Sequence, residues 1–441
     1  MMRVLCTVAL AALSGAPAWT AAAGDGSTPS PSPAPAPGSS APLVTFPTPE
    51  GFQALDARMR ALVDSGRRGG VVWAIAREGA PLHLRAYGQR DKSAGRPMTT
   101  DTIFRIYSQT RAVSTVALLR LVEQGQLSID DPVDRYIPSF AKLRVIREVR
   151  DGRVVTAPAR TGMTVRHLLT YTSGYGYAHY YPPAAGVRHL DILALDQSIQ
   201  QGMDKLARYP LLSEPGARWD YGYHSDVVGR LIEIASGMRT DDYLQQAIFG
   251  PLGMVDTGFF VPEEKSDRLV HAYDAQGQDV TAKLLPLADW GARKPFQSNG
   301  GGLVTTGGDW IRFTRMLLNG GSLDGVRILQ PESVAALGRN QITREQGPLF
   351  WGDKSAPDAP SRFDGYGWGY GVGVRLEQGP WSMPGTPGEL FWGGLAGTNY
   401  LIDRHNRLVA LAFTQYQGPD GDAQDGVMRE ALYGPILRPR Q

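Results

Sequence analysis

The spacing of apolar residues changes along the chain, and the changes mark out its elements. Residues 49–65 carry a helical stretch. The segment GVVWAIAREGAPLHLRAYGQRD then reads as two strands, joined by a turn at Glu78-Gly79-Ala80-Pro81. After Thr102 the period lengthens. Val113, Val116, Ala117, Leu121 and Val122 fall at the three- and four-residue spacing of a helix face, and Gly125 supplies the stop. Further helices are predicted at Val165–Leu169, 225–235, 241–248 and 309–318. The tail returns to strands, TNYLID and RLVALAFTQ, around a turn at Arg404-His405-Asn406. Strands at both chain ends with helices between predict an α+β fold: one antiparallel sheet built from both ends, flanked by helices, with an inserted helical subdomain. The expected boundaries are a sheet subdomain of about 46–105 and 297–441 and a helical subdomain of about 106–296. No internal repeat is visible.

The first 45 residues break this pattern. Arg3 precedes a short apolar run, and Ala21-Ala22-Ala23 offers a small-residue cleavage site, so residues 1–23 read as a secretory signal peptide. Gly15, Pro17 and Thr20 interrupt the run before it reaches the length of a membrane span. Residues 24–45 are rich in Pro, Ser and Ala and read as a linker, leaving 46–441 as the folded domain. The expected setting is periplasmic or secreted, with no membrane span after signal cleavage. The one cysteine, Cys6, lies inside the signal, so a mature chain has no disulfide, thiolate metal site or cysteine nucleophile. A net charge of +2 without basic runs gives no reason to expect nucleic acid or an anionic membrane as partner.

Candidate chemistry gathers at a few points. In FRIYSQTRAVSTVALLRLVEQGQLS, Ser108 stands at the start of the long apolar helix, where free backbone N–H groups favour negative charge. The same position suits a plain helix cap. Arg111 lies one turn on, where a Ser-x-x-Lys pair would carry its base. A literal Ser-x-x-Lys occurs only at Ser139–Lys142, in what reads as surface loop. PGARWDYGYHSDVVG places Tyr221 and Tyr223 in a glycine-containing loop before a helix. FWGGLAGTN places Trp392, Gly393 and Gly394 beside a strand, where paired glycines allow close approach. There is no G-x-S-x-G elbow, no P-loop and no metal-ligand spacing among the seven histidines, so no metal or cofactor is expected.

In their order along the chain, FRIYSQTRAVSTVALLRLVEQGQLSIDDPVDRYIP, TVRHLLTYTSGYGY, PGARWDYGYHSDVVGRLIEIASG, PLGM, NGGGLVTTGGDWIRFTRMLLNGG and FWGGLAGTNYLID resemble the serine β-lactamase-like superfamily. The resemblance covers the chain from about Phe46 and is nearest to the esterase branch beside class C β-lactamases and penicillin-binding proteins. It implies a β-lactamase/transpeptidase-like fold. It also implies Ser108 as nucleophile, Tyr221 as the catalytic tyrosine, and an oxyanion hole from the backbone N–H groups of Ser108 and Leu395. Trp392-Gly393-Gly394 stands where β-lactamases carry Lys-Thr-Gly, and Tyr223 stands at the third position of Tyr-x-Asn. Both departures point away from penicillins and towards small acyl esters.

The largest departure is Arg111. A guanidinium stays protonated and has no acceptor, so it cannot take the proton of Ser108. A fixed cation beside Tyr221 favours its deprotonated form, so the expectation is that Tyr221 acts as general base with Arg111 as its electrostatic partner. The implied activity is a serine carboxylesterase working through a Ser108 acyl-enzyme on a small-molecule ester or amide. The alternatives are a catalytically impaired binding protein of the same fold, and a β-lactamase or D-alanyl peptidase. Tyr107, Tyr175, Tyr177, Tyr180, Tyr181, Trp219, Tyr223 and Trp392 are expected as aromatic neighbours of the cleft.

Overall fold

Strands β1 (Gly70–Arg77) and β2 (His83–Asp91) sit in the same sheet as strands more than 270 residues away. The computed structural model describes residues 47–288, 290–347, 365–377 and 383–434, all within one compact unit. The expected signal peptide and linker lie outside the described residues. The short β3 (Arg96–Pro97) follows β2, and the later strands are β4 (Tyr366–Trp368), β5 (Gly373–Arg375), β6 (Leu390–Gly394), β7 (Thr398–Asp403) and β8 (Leu408–Phe413). The sheet order is β4-β5-β6-β7-β8-β1-β2-β3, antiparallel throughout. The two chain ends meet at β8 and β1, where Val72 faces Phe413 and Trp73 faces Ala412.

Both faces of this central pair are covered, which is why its strands read as continuous apolar runs. Val72, Ala74, Leu411 and Phe413 join the main core. Val71, Trp73, Ile75, Ala410 and Ala412 point the other way. There they meet α1 (Pro49–Asp64) and the C-terminal helix, labelled α5 (Ala423–Tyr433), through Leu55, Met59, Met428 and Leu432. Thr48 caps α1 by accepting from Gly51 N, and Pro49 occupies its first turn.

The predicted helices are present as α2 (Thr110–Glu123), Val165–Leu169, α3 (His224–Ser236), Thr240–Leu244 continuing to Phe249, and α4 (Gly307–Leu318). Two readings change. The apolar spacing of α2 predicts one buried face, yet every residue from Thr110 to Leu119 is buried. The helix lies inside the main core, so its polar residues needed internal partners. The charged stretch after Ser139 is also not simply loop. Arg144–Arg150 and Arg153–Pro158 pair as a hairpin, with Ile146 packed on Tyr181 and Leu212 while the arginines face outwards. Ser139–Lys142 itself lies in a short 3-10 turn, where Ser139 donates to Asp204 Oδ1 at 2.7 Å. No helix among the described residues is long and apolar enough to cross a membrane.

Candidate active site

Ser108 sits in a 3-10 turn, Tyr107–Gln109, that leads directly into α2. Tyr107 has φ 43°, a left-handed conformation that costs a non-glycine residue about 1–3 kcal/mol and needs surrounding structure to hold it. Two glycine-rich segments supply that structure. On one side Ile106 N donates to Leu303 O at 3.0 Å, and Thr110 Oγ1 accepts from Leu303 N at 3.1 Å. On the other, β6 ends against Ile106. A methyl group on Gly394 would stand 2.4 Å from Ile106 O and 2.3 Å from Thr398 Oγ1, so only glycine fits. The strand thereby reaches the turn that carries Ser108, with Leu395 just beyond it and 57% exposed. Ser108 is half-buried, and its hydroxyl makes no hydrogen bond among the described residues.

Arg111 points into the interior and is fully buried. Its Nη1 donates to Tyr171 OH (2.9 Å), Gly222 O (3.2 Å) and Ser225 Oγ (3.3 Å), and Nη2 donates to Tyr177 OH. The face of the guanidinium lies over Tyr221, with Cζ 4.3 Å from the ring centre. Burial works against the charge. The phenols of Tyr171, Tyr177 and Tyr221 outweigh it and hold Arg111 well above its ordinary value. Tyr171, wholly buried, is pushed up to about 12 by desolvation, with Arg111 pulling the other way. The guanidinium is therefore a permanent charge, hydrogen-bonded to two phenols that burial keeps protonated and lying over a third.

Tyr221 reaches this cluster from the loop before α3. Tyr177 N donates to its carbonyl at 3.0 Å, and Gly222 lies flat on Tyr175 and Gly176. Trp392 Nε1 donates to the Tyr221 hydroxyl at 3.1 Å. Three elements thus converge: α2 through Arg111, the 221–223 loop through its phenol, and β6 through its indole. Tyr171, Trp219, Tyr221, Trp368 and Trp392 form one continuous aromatic group around the junction.

Of the predicted site residues, the structure joins Tyr221 to Arg111 and Trp392, and sets Gly394, with Leu395 after it, against the turn that carries Ser108. Tyr223 stands behind them. It is buried, with its hydroxyl 3.0 Å from His189 Nδ1 and its ring edge-on to Tyr177. Tyr175 and Tyr181 are likewise interior, Tyr175 against Phe140 and Tyr181 against Ile146 and Leu212. Sequence reasoning missed Tyr171, Ser225, Asp226 and Trp368. Tyr171, just after the short helix Val165–Leu169, adopts a left-handed backbone (φ 60°) that no feature of the segment announces. No group of three or more His, Cys, Asp or Glu among the described residues could hold a metal.

Comparison with known proteins fits this geometry. The family model described as Beta-lactamase matches residues 55–434. The chain is 31% identical over 410 residues to esterase EstB of Burkholderia gladioli, covering 86% of this chain and 95% of that protein. It is 29% identical over 391 residues to a lovastatin esterase of Penicillium rubens, covering 83% and 94%. Among solved structures it is similar to EstCE1, a hydrolase with promiscuous acyltransferase activity, with a TM-score of 0.73 and 25% identity over 87% of this chain and 98% of that one. The chain therefore belongs to the beta-lactamase family and, within the serine β-lactamase-like superfamily, to the esterase branch.

Proposed function

We propose that the protein is a serine carboxylesterase that forms an acyl-enzyme on Ser108. The observation that carries this reading is a half-buried serine on a turn that a glycine strand end reaches, with a phenol held between a permanent cation of the helix that follows and an indole of the same strand. Ser108 Oγ attacks the ester carbonyl and passes its proton to Tyr221, which accepts it as the phenolate that the Arg111 charge favours. The backbone N–H groups of Ser108 and Leu395 receive the developing oxyanion. Tyr221 returns the proton to the departing alcohol, and water then attacks the acyl group by the same route in reverse. Arg111 takes no proton in this scheme; it holds positive charge against the Tyr221 ring throughout. Trp392 occupies the place where a cation would grip a carboxylate, which favours neutral small acyl esters over penicillins. The esterase names of the relatives support the same substrate class. Residues 1–23 support a secreted or periplasmic setting.

A second reading has a specific observation behind it. The hydrogen bonds of Arg111 all go to uncharged oxygens and it offers no acceptor, which also suits a binding protein that keeps the cleft and has lost the chemistry. Hydrolysis of p-nitrophenyl butyrate by the wild type, Ser108→Ala and Arg111→Lys separates the two. Wild-type turnover at least about a hundredfold above Ser108→Ala supports the esterase. Activity in Arg111→Lys alone, or failure of a fluorophosphonate to label Ser108 in folded wild type, supports the binding protein.

A further inference from the structure

The reading above leaves one buried charge unused. Asp226, on α3, is 0% exposed, like Arg111 on α2 against which that helix packs. Its Oδ1 accepts from Ser298 Oγ at 2.9 Å and Gly300 N at 3.2 Å. Its Oδ2 has no hydrogen-bond partner among the described residues. Arg111 has the complementary lack: all its acceptors are uncharged oxygens, and its Nε has no partner among the described residues. The two groups meet at Gly300. A methyl group placed there would lie 3.0 Å from Asp226 Oδ2 and 3.4 Å from Arg111 Nη2. Neither residue forms an ion pair within 4 Å among the described residues, so the charges face one another across a bare glycine.

We infer that Asp226 is the internal counter-ion of Arg111 and the residue that positions its guanidinium against the site tyrosines. A buried guanidinium cannot lose its proton, so a charge of opposite sign must stand within reach. Inside a protein that attraction persists across a gap that water would screen. The glycine at 300 keeps the two groups close, while the hydrogen bonds of Arg111 stay committed to Tyr171, Tyr177, Gly222 and Ser225. Asp226 touches no substrate and acts only through Arg111. The positioning role rests on Ser108 and Tyr221 being the reactive pair; the pairing of charges does not.

The test is a double-mutant cycle with Arg111→Met, Asp226→Asn and the double variant, read by urea unfolding and by p-nitrophenyl butyrate kinetics. Each single variant is expected to lower the unfolding equilibrium constant. The double variant should recover roughly tenfold or more relative to the two losses combined. In Asp226→Asn, kcat should fall about tenfold with KM within twofold, because the residue lies away from the substrate. Additive losses in stability, or an equal effect on KM and kcat, overturn the inference. If Asp226→Asn does not fold, Gly300→Ala replaces it. That variant inserts a methyl group between the charges and should lower kcat with KM unchanged, whereas wild-type kcat overturns the positioning role. If the wild type shows neither turnover nor labelling of Ser108, the esterase reading falls, and the unfolding cycle still decides the pairing.

Discussion

Two wholly buried arginines on opposite sides of the sheet are handled in opposite ways. Arg429, on α5, is closed by carboxylates: Nη1 donates to Glu389 Oε1 at 2.6 Å and Nε to Asp425 Oδ2 at 2.8 Å. Arg375 on β5 adds a second cation 3.9 Å from Glu389. This network fastens the C-terminal helix to the start of β6. Arg111 instead donates to two phenols, a hydroxyl and a carbonyl, and lies over a third phenol. A cation closed by carboxylates has its field cancelled at contact distance, and its use is mechanical. A cation ringed by phenols keeps its field, and Tyr221 lies within it. The contrast teaches that burial and charge alone do not mark a functional arginine; the charge state of what touches it does.

The largest way to break this contrast is to remove each cation in turn. Arg429→Met leaves Glu389 and Asp425 buried without their cation and should cost about 3–5 kcal/mol in urea unfolding. Its kcat/KM per folded molecule should match the wild type. Arg111→Met leaves Asp226 without its counter-ion, but across a gap and not in contact, and should cost less, about 1–3 kcal/mol, while removing most of the activity. The reverse order of stability losses would show that Arg111 is the structural clamp.

A pH titration sharpens the contrast next. Burial, aided by the Arg111 charge, lowers His224 to about 3, so it is neutral in the folded state. An unfolded histidine titrates near 6.5, so the stability this neutrality contributes is present above that value. It is lost as pH falls towards 3, at about 1.4 kcal/mol per unit. Burial raises Glu389 and Asp425, against the pull of Arg429. Their contribution has the opposite sign: it is greatest in acid and shrinks as pH rises through the raised values. Between pH 7 and 4.5 the Arg111 side should therefore weaken first. His224→Phe, which keeps a ring stacked on Tyr171 (4.6 Å), should remove about 2–3 kcal/mol of that acid dependence. An unaltered slope would place the acid-labile group elsewhere.

How much of this was legible in the sequence follows from the range of each interaction. Ser108 and Arg111 are one helical turn apart, so their relation is local and a single segment displays it. The strands show in period-two and continuous apolar runs because the sheet buries them on both faces. Tyr221 and Trp392 stood out in their glycine-containing segments, but their roles came only through resemblance to a family, since nothing near either residue says that an indole will meet a phenol 171 positions away. Tyr171 and Asp226 were not visible at all. Their meaning depends on α2 being buried all round, and the apolar spacing of that helix shows only one face. The hairpin after Ser139 was hidden by its arginines, whose long side chains cover the apolar residues that pair it. Helix α5 was hidden in the same way, its stripe of Met428 and Leu432 interrupted by the charges that bind Glu389.

The smallest expected effect tests the contact that draws β6 into the site. Trp392 offers Tyr221 both a ring and an N–H donor, and the two can be separated. Trp392→Phe keeps an aromatic face against Tyr221 and Trp368 while deleting the donor. The phenolic oxygen then keeps the Arg111 charge over its ring but loses the hydrogen bond that fixes its direction. One neutral hydrogen bond contributes about 1 kcal/mol, so kcat/KM should fall roughly fivefold, with kcat carrying the loss. Urea unfolding should move by no more than about 1 kcal/mol, because the ring contacts that fill the cluster survive. Arg429→Met should show the mirror image, with stability lost and kcat/KM kept. A Trp392→Phe variant with wild-type kcat and lowered stability would make the indole a packing group. Tyr221 would then owe its placement to Arg111 and its own loop alone.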